Sequence, residues 1–205
     1  MFSKHRIEAL SDGVFAIAMT LLILDLKVPL DTQPGHLGAA LLHDVASWVS
    51  FIVTFGLAAQ AWSLQHRVFD RMEKMTGGGL ALTFIFLFFV SVLPFITSVW
   101  GHHIREPFAF VLYFSIQFAL ALMLMLKLEL ARWKGYLKLG PETDQLRLRL
   151  FGMCLIMAVG TPTVGYLPRQ YQWLPLLAMG IAVRAMRVWK NRQMKQASLA
   201  VQPES

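Results

Sequence analysis

The stretch Arg6–Val28, RIEALSDGVFAIAMTLLILDLKV, decides the fold of this chain. It is long and apolar enough to cross a bilayer, yet it carries Glu8, Ser11, Asp12, Thr20, Asp25 and Lys27. A charge near the bilayer centre costs about 2.5–3.5 kcal/mol on insertion scales, so a lipid-facing helix does not hold that many polar groups. Its middle, Gly13 to Leu24, is free of charge, and the charged residues sit at the two ends. Such a helix belongs inside a bundle, beside water or other protein, and is the first candidate for a transport path.

Composition points the same way. Of 205 residues, 56% are hydrophobic, 12% aromatic and only 15% charged, against about 25% charged in soluble domains. Six helical spans are expected, each near the roughly 20 residues that a hydrocarbon core requires. They cover about Ala9–Val28, Val45–Gln65, Leu80–Trp100 after a Gly77-Gly78-Gly79 turn, Pro107–Leu130, Leu148–Leu167 after a polar linker over Ala131–Arg147, and a sixth from about Tyr171 that turns basic by Arg184. Pro94 marks a kink in the third. Small residues in the second (Gly56, Ala58, Ala59, Ala61) permit close helix packing. The chain reads as all-α, with one membrane unit over 1–191 and a polar tail over 192–205 that is expected to be disordered. Asp25 and Lys27 interrupt the place of a cleavage site, so the first span reads as retained rather than as a signal peptide. Cys154, the single cysteine, lies in an apolar run and reads as a packing residue.

Charge placement sets the expected orientation. With six spans, all but three (Lys27, Arg105 and Arg169) of the 19 lysines and arginines fall on one side. The positive-inside rule then puts both termini in the cytoplasm. The formal net charge of +7 follows from topology, and nucleic acid is not an expected partner. No glycine-rich phosphate loop, internal repeat or metal-ligand spacing appears, and no enzymatic activity is expected.

At about 100° per residue, Gly13, Ile17, Thr20 and Leu24 fall within a stripe about 60° wide, bordered by Leu21. Asp12, Ala16, Met19 and Ile23 lie on another face. Periodicity alone is equally at home with bundle packing. If several copies of the helix surround an axis, the stripe becomes stacked rings of Ile17, Thr20 and Leu24. Hydrophobic rings close a pore by dewetting, and a threonine ring contacts a partly dehydrated ion.

The run Arg6-Ile7-Glu8-Ala9-Leu10-Ser11-Asp12-Gly13, followed by Val14-Phe15-Ala16-Ile17-Ala18-Met19-Thr20-Leu21-Leu22, resembles the signature first helix of the transmembrane protein 175 family. That family comprises potassium-permeable channels of bacteria and of animal endosomes and lysosomes. Its hallmark is an arginine, three residues, then Phe-Ser-Asp; here Leu10 replaces the phenylalanine. Trp62, His66, Arg67 and Phe69 resemble the end of its second helix, with Gln65 where a second histidine is common, and Phe89–Phe95 resembles its third. The resemblance implies a six-helix unit that assembles as a homotetramer in the inner membrane of a bacterial cell. The first helix of each copy would line a central pore on the oligomer axis, without the usual potassium-channel filter. It further implies a potassium-favouring monovalent cation channel with K+ as permeant ion and no cofactor. Ile17 would form the constriction, Leu24 a second level, Leu21 its border, and Thr20 the ion contact. Arg6, Ser11, Asp12 and His66 would hold the pore helix in register.

Residue chemistry keeps plainer readings open. Asp12 is expected to meet His66 or Arg67, since a carboxylate near the membrane needs partners. Ser11 and Asp12 also suit a helix cap. Thr20 suits a bond to the carbonyl four residues back. Asp25 and Asp31 read as solvated at the outer helix end, where a ring of them would also concentrate cations. His36, His43, His102 and His103 read as outer loop residues, and Glu129 as an exposed ion pair near Lys127 and Arg132. The alternative functions are a small secondary transporter, disfavoured by the uncharged Gly13–Leu24 segment and the lack of a repeat, and a non-conducting scaffold, which leaves the polar first helix without a reason.

Overall fold

The computed structural model describes residues 3–27, 35–36, 38 and 44–166. Within them the chain is all helix: α1 (Lys4–Leu21) running into a single 3₁₀ turn at Leu22–Asp25, α2 (Val45–Arg71), α3 (Gly77–His102), α4 (Pro107–Trp133) and α5 (Pro141–Tyr166). The sixth span and the C-terminal tail lie outside the described residues. Lys4–Asp25, α2, α3 and α4 are each long and apolar enough to cross a membrane, whereas α5, with Glu142, Asp144, Arg147 and Arg149 in its first turns, is not among them.

Start and stop chemistry is local. Asp44 caps α2 by accepting from the Ser47 amide, and Thr76 caps α3 by accepting from that of Gly79. Gly77–Gly79 therefore form the first turn of α3 rather than a separate turn. Pro107 and Pro141 stand at helix starts, where a missing N–H costs nothing. Gly135, at φ +70°, closes α4 in the left-handed conformation that lets Tyr136 N–H reach the Ala131 carbonyl at 2.9 Å.

Several helices outrun the spans expected from hydropathy. α1 begins five residues before Ala9, α2 runs six past Gln65, and the polar stretch expected as a linker over Ala131–Arg147 shrinks to residues 134–140. A 27-residue helix such as α2 rises about 40 Å, more than the ~30 Å hydrocarbon core. Its last turns can therefore stand in water and carry charge. There the α2–α3 and α4–α5 connections pair through one antiparallel bridge: Glu73 N–H donates to Tyr136 O and Lys138 N–H to Arg71 O, both at 2.9 Å. Arg71 also pairs with Glu142. Glu129 is held by Arg147 Nε at 2.6 Å rather than by Lys127 or Arg132.

The helices alternate in direction and share two apolar clusters. One joins Phe15, Leu64, Val68, Phe69, Phe86, Val90, Leu124, Leu128 and Leu150; the other joins Ile96, Trp100, Phe110, Tyr113, Phe114 and Met157. On α2 the residues at close quarters are Ser47, Ser50, Thr54, Ala58 and Ala61, a buried stripe at helical spacing, while Gly56 faces outward. Thr54 Oγ1 lies 2.9 Å from Tyr113 OH and accepts from Thr97 Oγ1 at 3.1 Å, joining α2, α3 and α4 through a fully buried polar contact. Such bonds carry weight where water is absent. Pro94 lies inside α3, which continues through it to His102. Cys154 is buried as a packing residue.

Among the described glycines the tightest site is Gly101, where an added Cβ would sit 2.6 Å from Ser50 Oγ and 3.4 Å from Ser47 Cα. Gly101→Ala is expected to push α2 and α3 apart and destabilise the protein by about 1–3 kcal/mol. The readout is a lower thermal midpoint of the detergent-purified protein, recovered in part by adding Ser50→Ala. An unchanged midpoint would remove this contact from the packing account.

Candidate functional site

The site is built on α1, whose two faces differ. Ile7, Ser11, Phe15, Ala18 and Leu22 recur every three or four residues and are buried against α2 and α3. Phe15 anchors this stripe, its ring 5.8 Å from that of Phe86 on α3. Gly13, Ile17, Thr20, Leu21 and Leu24 all point away from the subunit core; Ile17 is 61% exposed and Leu24 69%. The stripe read from periodicity is thus continuous and uncovered within one subunit.

The stripe is not a straight line. From Leu22 the chain advances as a 3₁₀ helix, about 120° per residue in place of about 100°. Leu24 is thereby rotated from its place above Ile17 and Thr20 toward the Leu21 side, while remaining exposed. Thr20 Oγ1 lies 2.9 Å from both the Ala16 and the Ile17 carbonyl oxygens. Its one proton is taken up along the helix, so its lone pairs are free to accept from, or contact, whatever occupies the exposed side.

Polar contacts pin α1 at both ends. At the N-terminal end, Trp62 Nε1–H donates to Asp12 Oδ1 at 2.8 Å, and Glu8 Oε1 lies 3.2 Å from His66 Nδ1. One turn forward along α1, from Glu8 to Asp12, matches one turn back along α2, from His66 to Trp62, as antiparallel neighbours require. Trp62 and His66 stack, with ring centroids 5.9 Å apart and an interplanar angle of 23°. At the far end, Ser98 Oγ donates to Asp25 Oδ1 at 2.7 Å, and His102 Nδ1 lies 3.8 Å from Asp25 Oδ2.

These contacts redistribute the expected bracing set. Asp12 bonds to Trp62 rather than to His66 or Arg67, because Arg67 Nε turns back to its own helix at Ser63 O. His66 braces through Glu8, a residue left out of the expected bracing set although Glu8 and Asp12 share the i,i+4 spacing of Trp62 and His66. Ser11 is buried mid-helix and donates to Ile7 O at 2.9 Å, so it is neither a cap nor a link between helices. Arg6 is exposed and joins no ion pair among the described residues. Asp25 is anchored on α3 rather than solvated, and His102 is its neighbour rather than a free loop residue. Asp31 and His43 lie outside the described residues.

One cation was misplaced by the sequence reading. Lys127 is fully buried, its Nζ 3.3 Å from Gln65 Oε1 and 4.7 and 5.4 Å from the ring centroids of Phe69 and Phe86. A neutral amide oxygen and two aromatic faces replace water around the ammonium. Gln65 thus has a structural task that is specific to the tertiary arrangement.

If the Asp12–Trp62 contact helps set the rotation of α1, a double-mutant cycle with Asp12→Ala and Trp62→Phe should return a coupling of about 1 kcal/mol. Denaturant or thermal unfolding measures it, and additive effects would mean that the bond is incidental.

Comparison with known proteins places this geometry. Residues 6–94 match the family model described as the endosomal/lysosomal potassium channel TMEM175. A potassium channel of Streptomyces collinus is 38% identical over 106 residues, which is 52% of each chain. A potassium channel of Chamaesiphon minutus is 33% identical over 123 residues, 58% of this chain and 61% of that one. The human endosomal/lysosomal proton channel TMEM175 is 34% identical over 113 residues, 51% of this chain and 22% of that one. The matches to the two bacterial channels span only about half to three-fifths of those proteins' length. Among solved structures, a lysosomal potassium-selective channel TMEM175 homologue from Chamaesiphon minutus superposes with a TM-score of 0.77 at 24% identity, over 92% of this chain and 98% of that one. These relatives are named as ion channels, not enzymes. Over residues 6–94 this chain is similar to the TMEM175 family, and it is an integral membrane protein with the fold of the TMEM175 channel homologue.

Proposed function

We propose that the protein is a potassium-favouring monovalent cation channel whose pore is lined by α1 from several copies of the chain. The observation that carries this reading is the uncharged, uncovered Ile17–Thr20–Leu24 stripe on a helix pinned by its opposite face. One such helix per subunit suits a ring around an axis, and a homotetramer is the arrangement we favour. Ile17 forms the narrow, dewetted ring, with Leu24 and Leu21 as the apolar level beyond it. Thr20, its proton already committed to the backbone, turns oxygen lone pairs toward an ion that has shed part of its water. Asp12 and His66, with Glu8 and Trp62, hold the helix so that this stripe faces the axis; Arg6 and Ser11 belong to the same motif by resemblance. The potassium-channel names of the bacterial relatives support K+ as the favoured ion. Passive conduction needs no cofactor. Six spans with both termini in the cytoplasm, in a bacterial inner membrane, complete the reading.

The test is a reversal potential across a planar bilayer holding the purified protein, with K+ on one side and Na+ on the other. A current reversing toward the potassium equilibrium potential is expected; reversal near zero removes the preference, and silence from the correctly assembled oligomer argues for the scaffold. Ile17→Asn wets the constriction and should raise flux about tenfold, equivalent to about 1.4 kcal/mol off the barrier, without loss of assembly. Unchanged flux sinks the assignment of Ile17. Thr20→Val should shift the reversal potential toward zero while conductance persists.

A further inference from the structure

At the N-terminal end of α1 the fold brings one side chain of that helix against two that stand a turn apart on α2. Glu8 of α1, His66 of α2 and Asp70 one turn further along α2 offer donor atoms that all lie within 4.8 Å of one another. Glu8 Oε1 is 3.2 Å from His66 Nδ1, and His66 Nε2 is 4.0 Å from Asp70 Oδ2. His5 Nδ1 lies 3.9 Å from the other Glu8 oxygen. From this arrangement we infer a binding site for a borderline divalent metal ion of the zinc class, bridging α1 and α2.

Three features favour a site over a chance surface grouping. The first is charge. Among the described residues, neither Glu8 nor Asp70 pairs with a lysine or arginine; their charged neighbours are histidines alone. Arg71, next to Asp70, pairs with Glu142, Lys4 Nζ and Arg67 Nε are turned onto the Met72 and Ser63 carbonyls, and Arg6 joins no ion pair among the described residues. Two carboxylates are therefore left without a fixed cation in a chain of net charge +7. The second is orientation. The His66 ring is stacked on Trp62, whose indole N–H is in turn held by Asp12, so the imidazole is set in place before any ion arrives, as orienting partners do in metal sites. The third is reach. Bonds of about 2.0–2.2 Å to imidazole and carboxylate place tetrahedral donors roughly 3.4 Å apart. One nitrogen of the stacked His66 ring takes the ion, and the exposed side chain of Asp70 turns toward it to close the remaining gap without moving either helix. One nitrogen and two carboxylates suit zinc-class ions, whereas calcium seeks six to eight oxygens. Three protein ligands leave a fourth position for water or for His5.

An ion held there ties Glu8 on α1 to His66 and Asp70 on α2, adding a link between the helices beside the Asp12–Trp62 bond. Its effect on current rests on the channel reading above; the binding itself does not. The experiment is therefore a binding titration of the purified full-length protein with Co2+, followed by the visible absorption of a low-symmetry cobalt site, and with Zn2+ in competition. One ion per chain is expected. Asp70→Asn leaves the Trp62 stack and the Glu8–His66 contact in place, so it should still elute as the wild-type oligomer. It should weaken binding by at least the roughly 10–100-fold that loss of an orienting partner costs a metal site. His66→Ala should abolish the cobalt spectrum, and His102→Ala, which alters the other imidazole–carboxylate pair, should leave it unchanged. Equal binding by wild type and Asp70→Asn, a spectrum lost in His102→Ala, or no binding at millimolar metal each overturns the site. A metal effect on current in wild type but not in Asp70→Asn would extend it to regulation.

Discussion

The rotation of α1 about its own axis is the constraint on which the rest of the molecule depends. A rotation by one residue, about 100°, would bury Ile17 or Leu21 and bring Asp12 against apolar neighbours. Packing alone resists this weakly, because lipid tails are as apolar as leucine and hydrophobicity does not discriminate between faces. Polar pairs discriminate sharply. Glu8 meets His66, Asp12 meets Trp62 and Asp25 meets Ser98, and each pair exists in only one rotational setting. The Phe15–Phe86 contact and the buried Ser11 lie between them on the same face.

The same logic runs through the bundle. Thr54, Thr97 and Tyr113 join three helices through hydroxyls that have no water to turn to. Lys127 shows how far this goes: its amino group is buried with no carboxylate partner among the described residues and is accommodated by Gln65 and two phenylalanine faces. In a membrane bundle such groups specify which helix lies beside which. The apolar contacts then fill the space between them.

Much of this was legible beforehand, and the misses share a cause. The first four helices and the Ile17–Thr20–Leu24 stripe follow from hydropathy and from the 3.6-residue period, both of which are local. Helix ends were misjudged because hydropathy reports the hydrocarbon core, whereas α2, α4 and α5 continue into water where charge pairs such as Arg71–Glu142 and Arg147–Glu129 hold them. Lys127 was read as exposed because charge predicts surface, and its partners come from α2 and α3. Glu8 was given no partner, and Asp12 was matched to the wrong residue, because the relative register of α1 and α2 is not written in either helix.

Composition, period and the motif around Ser11 and Asp12 settle that this is a helical membrane protein and carry its resemblance to the transmembrane protein 175 family, and they name the exposed stripe of its first helix. These are properties of short windows, set by the transfer free energy of side chains and by the geometry of a single helix. The pairing of Glu8 with His66, the turn of Leu24 out of line by a 3₁₀ turn, the anchoring of Asp25 and the burial of Lys127 were decided only when the helices packed. Each depends on the distance between residues tens of positions apart, and that distance is fixed by the register of neighbouring helices rather than by any local preference.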